Sequence, residues 1–476
     1  MNRIMLTGIA LLAFAATLYA QNTATVNQNG NAQLNTVTQT GSNNQTLIQQ
    51  LTGTATVVNT SNVAAVTQQA NPLGLETNQA FVNQLNGSDY NRAVIGQSGG
   101  SGNIGTIEQN GGNGYRNGGS GLLTTAPAGA RAGLGNDARI TQVGAGNDQT
   151  LIRQNAGTLG GSQANEAVIQ QMGHQNVCTV IEQSNKSWEN VARIDQGTLA
   201  DGASGNNAVI LQNDDSQKNR ATVSQEGTGQ VAEVRQTAVS GVNTTGVSQV
   251  GFGGVATVYQ TDNSHDNRST VNQLGTAAAA GATIYQTSAS GFNQATVEQA
   301  GSVDAALINQ SEQSKNNVAE VQQGAGGINN SAAITQTYSG IGGSYGTGSM
   351  ATIQQNLTTA GGSNQAEVMQ GFAGGISTET SLPVVSDKNQ AGVGQEGDMN
   401  KTSLLQGGVS NQATVMQKGF STLKGIDDGL TVNDVAGQIG NLNVLQVNQT
   451  GTLANPNTAS VRQVGIGNSG TIGQSN

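Results

Sequence analysis

From Asn22 to Gln474 the chain keeps returning to one pattern, N-x-A-x-V-x-Q. Asn22-Ala24-Val26-Gln28 is the first copy. Asn91-Ala93-Ile95-Gln97, Asn219-Ala221-Val223-Gln225, Asn293-Ala295-Val297-Gln299, Asn364-Ala366-Val368-Gln370 and Asn411-Ala413-Val415-Gln417 repeat it closely. Asn457-Ala459-Val461-Gln463 and Asn468-Gly470-Ile472-Gln474 close the series, and 31 copies in all are anchored on a Gln, with doubtful ones near Val58 and Gln438. The spacing inside a copy is two, so Asn, Ala, Val and Gln share one face of a short β-strand, while Thr, Arg, Glu and Ser take the other. Self-similarity on this scale means a solenoid or array.

The linkers add a longer period. Between Gln212 and Gln310 successive anchors lie 13, 11, 13, 11, 13, 13, 13 and 11 residues apart. A Gly follows two places after alternate anchors, giving the turn glycines Gly30, Gly227, Gly251, Gly275, Gly301 and Gly465. Two turn types therefore alternate. The expected fold is all-β, a β-solenoid with two short strands per rung, about 15.5 rungs and no terminal caps. Irregular stretches at 110–135, 337–348, 371–388 and 418–432 are expected to be loops ejected from the stack, leaving 21–476 as one domain.

Composition explains why the inward amides matter. Aromatics make up 3% and charged residues 10%, so neither a large-side-chain core nor a charged disordered chain fits. The gap between facing strands takes Ala with Val or Ile, as at Ala24 and Val26, Ala221 and Val223, Ala232 and Val234, Ala256 and Val258, Ala295 and Val297, and Ala413 and Val415. One buried Val or Ile gains roughly 1.5–3 kcal/mol, whereas fixing each residue's backbone costs about 1–2 kcal/mol. Apolar burial alone does not hold such a chain.

The remaining stabilisation is assigned to backbone ladders and to amides that bond to their own copies one rung away. The inward Gln ladder comprises Gln28, Gln97, Gln225, Gln236, Gln249, Gln260, Gln273, Gln299, Gln370, Gln417, Gln463 and Gln474. The inward Asn ladder comprises Asn22, Asn91, Asn219, Asn243, Asn267, Asn293, Asn364, Asn411, Asn457 and Asn468. The repeat starts at Asn22 and runs to Gln474, so both terminal rungs are expected to expose strand edges and amides that template another copy. A head-to-tail contact that does not close makes a filament.

Residues 1–20, with Arg3, an apolar run to Ala16 and a small residue at Ala20, read as a secretory signal peptide. No other segment is long and apolar enough to span a bilayer. The net charge of −10 carries no basic stripe, which argues against nucleic acid. Cys178 stands alone, so no internal disulfide forms; counted from Gln183 it faces out, counted from Asn176 it faces in.

At this point the repeat resembles the bacterial curlin repeat, S-x5-Q-x-G-x-G-N-x-A-x-V-x-Q. "QNDDSQKNRATVSQ" (212–225), "QEGTGQVAEVRQ" (225–236) and "QVGIGNSGTIGQ" (463–474) carry its parts. The leading Ser is usually replaced here, and only Gln21 stands between the predicted cleavage site and the first repeat. The resemblance implies a subunit secreted by a Gram-negative-type bacterium, assembling at the cell surface into curli-like amyloid fibres for biofilm matrix and adhesion. It implies as partners the chain itself, a minor curlin nucleator, periplasmic chaperones and an outer-membrane secretion pore. A nucleator or surface adhesin is the alternative.

Catalytic and metal chemistry are not expected, and no cofactor is. Ser344 fits G-x-S-x-G, but His174 and His265 both fall in turns. "GLGND" and "GAGND" (133–137, 144–148) are two isolated echoes of a calcium nonapeptide. Outward threonines such as Thr222, Thr257, Thr270, Thr283 and Thr296 suggest an ice-binding solenoid more remotely, because Arg139, Arg193, Glu233 and Glu320 interrupt them.

Overall fold

The computed structural model describes residues 22–29, 33–51, 62–69, 77–85, 91–100, 102–110, 136–155, 164–184, 187, 189–197, 204–274, 279–288, 290–311, 315–337, 348–357, 361–371, 386–424, 436–454 and 456–475. The signal-peptide reading of 1–20 lies outside them, as do most of three loop intervals, Ser344, Val58, Gly30 and Gly275. Among the described residues every regular element is a strand, and no helix is long and apolar enough to cross a membrane. The chain forms two compact units, residues 1–218 with 224–227 and residues 219–223 with 228–476, the division passing through the strand Arg220–Thr228.

Each unit is a β-solenoid of two parallel sheets, and strands alternate between the sheets along the chain. In the first unit one sheet contains Thr23–Asn29, Asn44–Leu51, Asn78–Leu85, Ile104–Asn110, Thr150–Asn155, Thr179–Glu182 and Asn207–Leu211. Its partner sheet contains Leu34–Thr40, Val63–Gln69, Arg92–Ser98, Asp137–Val143, Glu166–Met172 and Val191–Gln196. In the second unit Val231–Gln236, Val255–Gln260 and Gly281–Gln286 stack in one sheet; Thr244–Phe252, Arg268–Gln273 and Gln294–Gln299 stack in the other.

Register is set by the repeat. Val255–Gln260 pairs with Gly281–Gln286 so that Ala256 meets Ala282, Val258 meets Ile284 and Gln260 meets Gln286. A slip of one residue would turn every inward group to solvent, so the two-residue period enforces this pairing. Ala221, Val223, Ala232, Val234, Ala256, Val258, Ala295, Val297, Ala413 and Val415 are all buried. Ala24 and Val26 are not: the whole strand Thr23–Asn29 is exposed, with Val26 at 42%, because it lies at the edge of its sheet.

The two turns solve chain reversal differently. Gly251, at φ +120°, adopts a backbone closed to L side chains, and Gly227 repeats it at +125°. The longer turn uses left-handed residues that are not glycine, such as Ala238, Val239 and Val242. Backbone bonds between equivalent turns hold them, as Gly241 N donates to Ser264 O at 3.1 Å.

One loop expectation is corrected. Of the interval 418–432, residues up to Gly419 continue the strand Gln412–Gly419, and Ser421–Lys424 is itself a strand. Its register shows why. Thr402 pairs with Leu423, but Leu404 pairs with Ala436 and Gln406 with Gln438. One repeat strand is cut after its second inward residue and resumed beyond 425–435, in the same spatial register.

Candidate functional site: amide columns and exposed edges

Every described rung ends its strand in Gln, and the Gln side chains form continuous columns. In the second unit Gln249 Nε2 donates to Gln273 Oε1 at 2.7 Å, Gln273 to Gln299 at 2.9 Å and Gln299 to Gln323 at 2.9 Å. The facing sheet repeats this through Gln236, Gln260, Gln286 and Gln310, each step 2.8 Å. Gln370 donates to Gln406 and Gln417 to Gln449. In the first unit Gln97 donates to Gln142 at 2.8 Å, and Gln225 accepts from Gln196 at 2.8 Å.

Gln side chains of the columns also tie the two sheets together. Gln273 Nε2 reaches Val255 O at 3.1 Å and Ala280 O at 2.9 Å, both at the starts of facing strands on adjacent rungs. Those carbonyls fix the amide orientation, since an Oε1 in the same place would meet acceptors. The columns are therefore polar throughout: the earlier residue donates and the later accepts.

Asn at the strand starts works differently. Its Oδ1 accepts the backbone N–H of the next Asn: Asn243 N to Asn219, Asn267 N to Asn243, Asn293 N to Asn267 and Asn317 N to Asn293, all at 2.8–2.9 Å. Its Nδ2 leaves the column for the next turn. Asn219 donates to Ser240 Oγ at 2.8 Å, Asn243 to Ser264 Oγ at 3.0 Å and Asn267 to Ser290 Oγ at 3.0 Å. Asn364 likewise donates to the turn carbonyl of Gly397, whereas Asn411 donates back to Gly407 O in the preceding strand, and Asn91 Oδ1 accepts from Asn136 N. Asn468 N donates to Asn443 Oδ1, and Asn457 Nδ2 donates to Thr450 O. Amide-to-amide bonding among Asn occurs in the first unit, as from Asn44 Nδ2 to Asn22 Oδ1 at 3.2 Å and from Asn176 Nδ2 to Asn147 Oδ1 at 3.2 Å.

Two sets of residues escaped the sequence reading. The serines that receive Asn Nδ2 sit three places before the next Asn, as in Ser240-x-x-Asn243 and Ser264-x-x-Asn267, a spacing that could have been found. Thr or Ser in the inward Ala place bonds to a Gln of the facing sheet. Thr245 Oγ1 donates to Gln260 Oε1 at 2.8 Å and Ser269 Oγ to Gln286 Oε1 at 2.7 Å.

Cys178 resolves between its two registers. It is left-handed at φ +52°, an extra residue that lets both Asn176 and Thr179 point inward, and its Sγ contacts Gln149 Oε1 at 2.9 Å on the outside. Among the glycines, Gly301 is needed for space, since a Cβ there would lie 2.5 Å from Gly327 O. Gly465 lies within a strand, paired with Gly440. Among the described residues no group of three His, Cys, Asp or Glu side chains gathers where it could hold a metal ion.

Among the described residues the columns end on strands that are exposed, as Thr23–Asn29 is, or that alternate exposed and half-buried residues, as Leu34–Thr40 and Ser469–Ser475 do. Gln28 Nε2 donates to Gln50 Oε1 at 3.1 Å and Gln39 Nε2 to Gln68 Oε1 at 2.9 Å, so both Oε1 acceptors face away from their columns. Thr23–Asn29 pairs on one side, with Asn44–Leu51, among the described residues. In the second unit Gln463 accepts from Gln438 and Gln474 from Gln449, each at 2.8 Å, and their Nε2 donors find backbone carbonyls, Val444 O and Thr458 O. Among the described residues neither Nε2 has a Gln to donate to. Among the described residues, acceptors terminate one pair of columns and donors the other. No family model matches the chain, and no curated protein matches it.

Proposed function

We propose that the chain is a secreted structural subunit, without catalytic role, that adds head to tail to copies of itself and builds an extracellular fibre of the curli kind. The observation that carries this reading is the complementarity of the exposed columns. Gln463 and Gln474, one on each sheet, offer donors, and Gln28 and Gln39, also one on each sheet, offer acceptors. Two like edges set together would oppose acceptor to acceptor, so the matching joint is heterologous, and such a joint repeats without closing. Edge strands that pair on one side extend the same joint through hydrogen bonds of the main chain. Biofilm matrix and adhesion, a nucleating minor subunit, periplasmic chaperones and an outer-membrane pore belong to this reading through the repeat's resemblance to curlin.

Purified residues 21–476 are expected to form unbranched fibres with a reflection near 4.8 Å along the fibre axis, about the spacing of hydrogen-bonded strands. Electron microscopy and fibre diffraction read this directly. A chain that stays monomeric at micromolar concentration for days contradicts it. Strong seeding of other subunits without growth of its own would mark a nucleator instead.

A further inference from the structure

In the second unit, the strand-start column of one sheet holds a carboxylate where its successors hold Asn. Gly281 N donates to Asp304 O, and Ala305 N to Asn330 O, each at 2.8 Å, so Asp304 stands in line with Asn330 and Asn364. Asp304 is 1% exposed. Its Oδ1 does what an Asn oxygen does, accepting Asn330 N at 3.0 Å.

Its Oδ2 occupies the place of an Asn donor, and the surroundings offer it acceptors. A Cβ on Gly301 would lie 2.3 Å from Asp304 Oδ2, 2.5 Å from Gly327 O and 2.9 Å from Gly324 O, so three oxygens converge there. Oδ2 is buried with no hydrogen-bond partner among the described residues. The segments around it, 279–281, 299–303 and 324–330, contain no ionisable side chain. The carboxylates of the adjoining strands, Glu298 and Glu320, lie on the outward face. Nothing described compensates a negative charge at this point.

We propose that Asp304 is a pH-sensitive switch built into the column. Protonated, its O–H supplies the missing donor to the converging glycine carbonyls, and the rungs on either side close as they do around Asn. Ionised, it sets three acceptors against one another and loosens the turns 300–304 and 324–330. Burial pushes the carboxyl up from the usual 3.8 to about 6, opposed by the hydrogen bond from Asn330 N–H. Because the folded value lies above the unfolded one, the folded chain binds the extra proton between these limits. The contribution to stability is full below about pH 3.8, falls as the pH rises through the window to about 6, and stays low above it. The switch belongs to the folded rung and holds equally for a monomer and a fibre.

The test compares the chain with Asp304→Asn, and with Glu298→Gln as an outward carboxylate on the same rung, by denaturant unfolding of whichever folded form is obtained, at pH 4 and pH 7.5. Relative to Asp304→Asn, the unsubstituted chain is expected to lose roughly a hundredfold in its folding constant across the window, and Glu298→Gln to follow the unsubstituted chain. Identical pH profiles for Asp304→Asn and the unsubstituted chain overturn the proposal. So does a gain on adding calcium at pH 7.5 that Asp304→Asn lacks, which would assign the oxygens to a cation. An infrared titration of the unsubstituted chain reads the same group without any variant. A buried carboxylic C=O stretch lost near pH 6 supports the switch, and its absence above pH 4.5 overturns it.

Discussion

The ends and the starts of the strands carry side-chain amides of the same chemistry, yet they behave differently. At the ends, every described rung has Gln. At the starts, the second unit accepts Gly254, Ala280, Asp304, Ser349 and Ser421 in place of Asn. The difference follows from reach. Gln273 bonds to the rung before, the rung after and two facing strands, so no shorter or apolar residue replaces it. Asn243 serves one backbone N–H and one turn, and a rung survives the loss of that support. Where Gly254 stands, the space of a side chain is taken by Gln273 Oε1, 2.8 Å from where a Cβ would be. The Gln column has precedence.

Substitutions in one rung turn this contrast into numbers. Gln273→Leu is expected to have the largest effect, about 3–5 kcal/mol, because it orphans a donor of Gln249 and the acceptor of Gln299 at roughly 1–3 kcal/mol each and removes two ties between sheets. Asn243→Ala leaves Asn267 N without its acceptor and takes one of two donors from the Ser264 carbonyl, Gly241 N keeping the other, and is expected to cost about 2 kcal/mol. Ser264→Ala removes a hydroxyl but keeps the carbonyl that also accepts from Asn243, and should cost less than about 1 kcal/mol. Denaturant midpoints of the three variants check the order. Equal losses for Gln273 and Asn243 would erase the distinction between the columns.

Much of this was legible beforehand, for a physical reason. A period of two identifies which residues share a face, and the constant Gln anchor fixes register, so the two sheets and their inward sets follow from spacing. Hydrogen-bond partners do not follow from it. Spacing places Asn219 inward but does not say that its Nδ2 turns aside to Ser240 while its Oδ1 serves a backbone N–H. The strand split between Leu423 and Ala436 was hidden because a linear count breaks at the insertion, whereas pairing to Thr402 and Leu404 tolerates it. The long turn was obscured because Val239 and Val242 adopt a left-handed backbone that their own side chains disfavour. Bonds to neighbouring turns, not local preference, hold them there.

Polarity of the columns is the centre of the account, and chains blocked at one edge test it most directly. Gln28→Lys with Gln39→Lys places a cation where a copy's Gln463 and Gln474 donors would arrive, an unpaired charge that costs several kcal/mol once buried. Both positions lie on edge strands, so the fold of the free chain should change little. Added in small proportion to growing fibres, the double variant is expected to join through its intact donor edge and then stop that end from elongating, as followed by single-fibre microscopy. Growth that continues at the same rate at both ends would contradict the head-to-tail ladder.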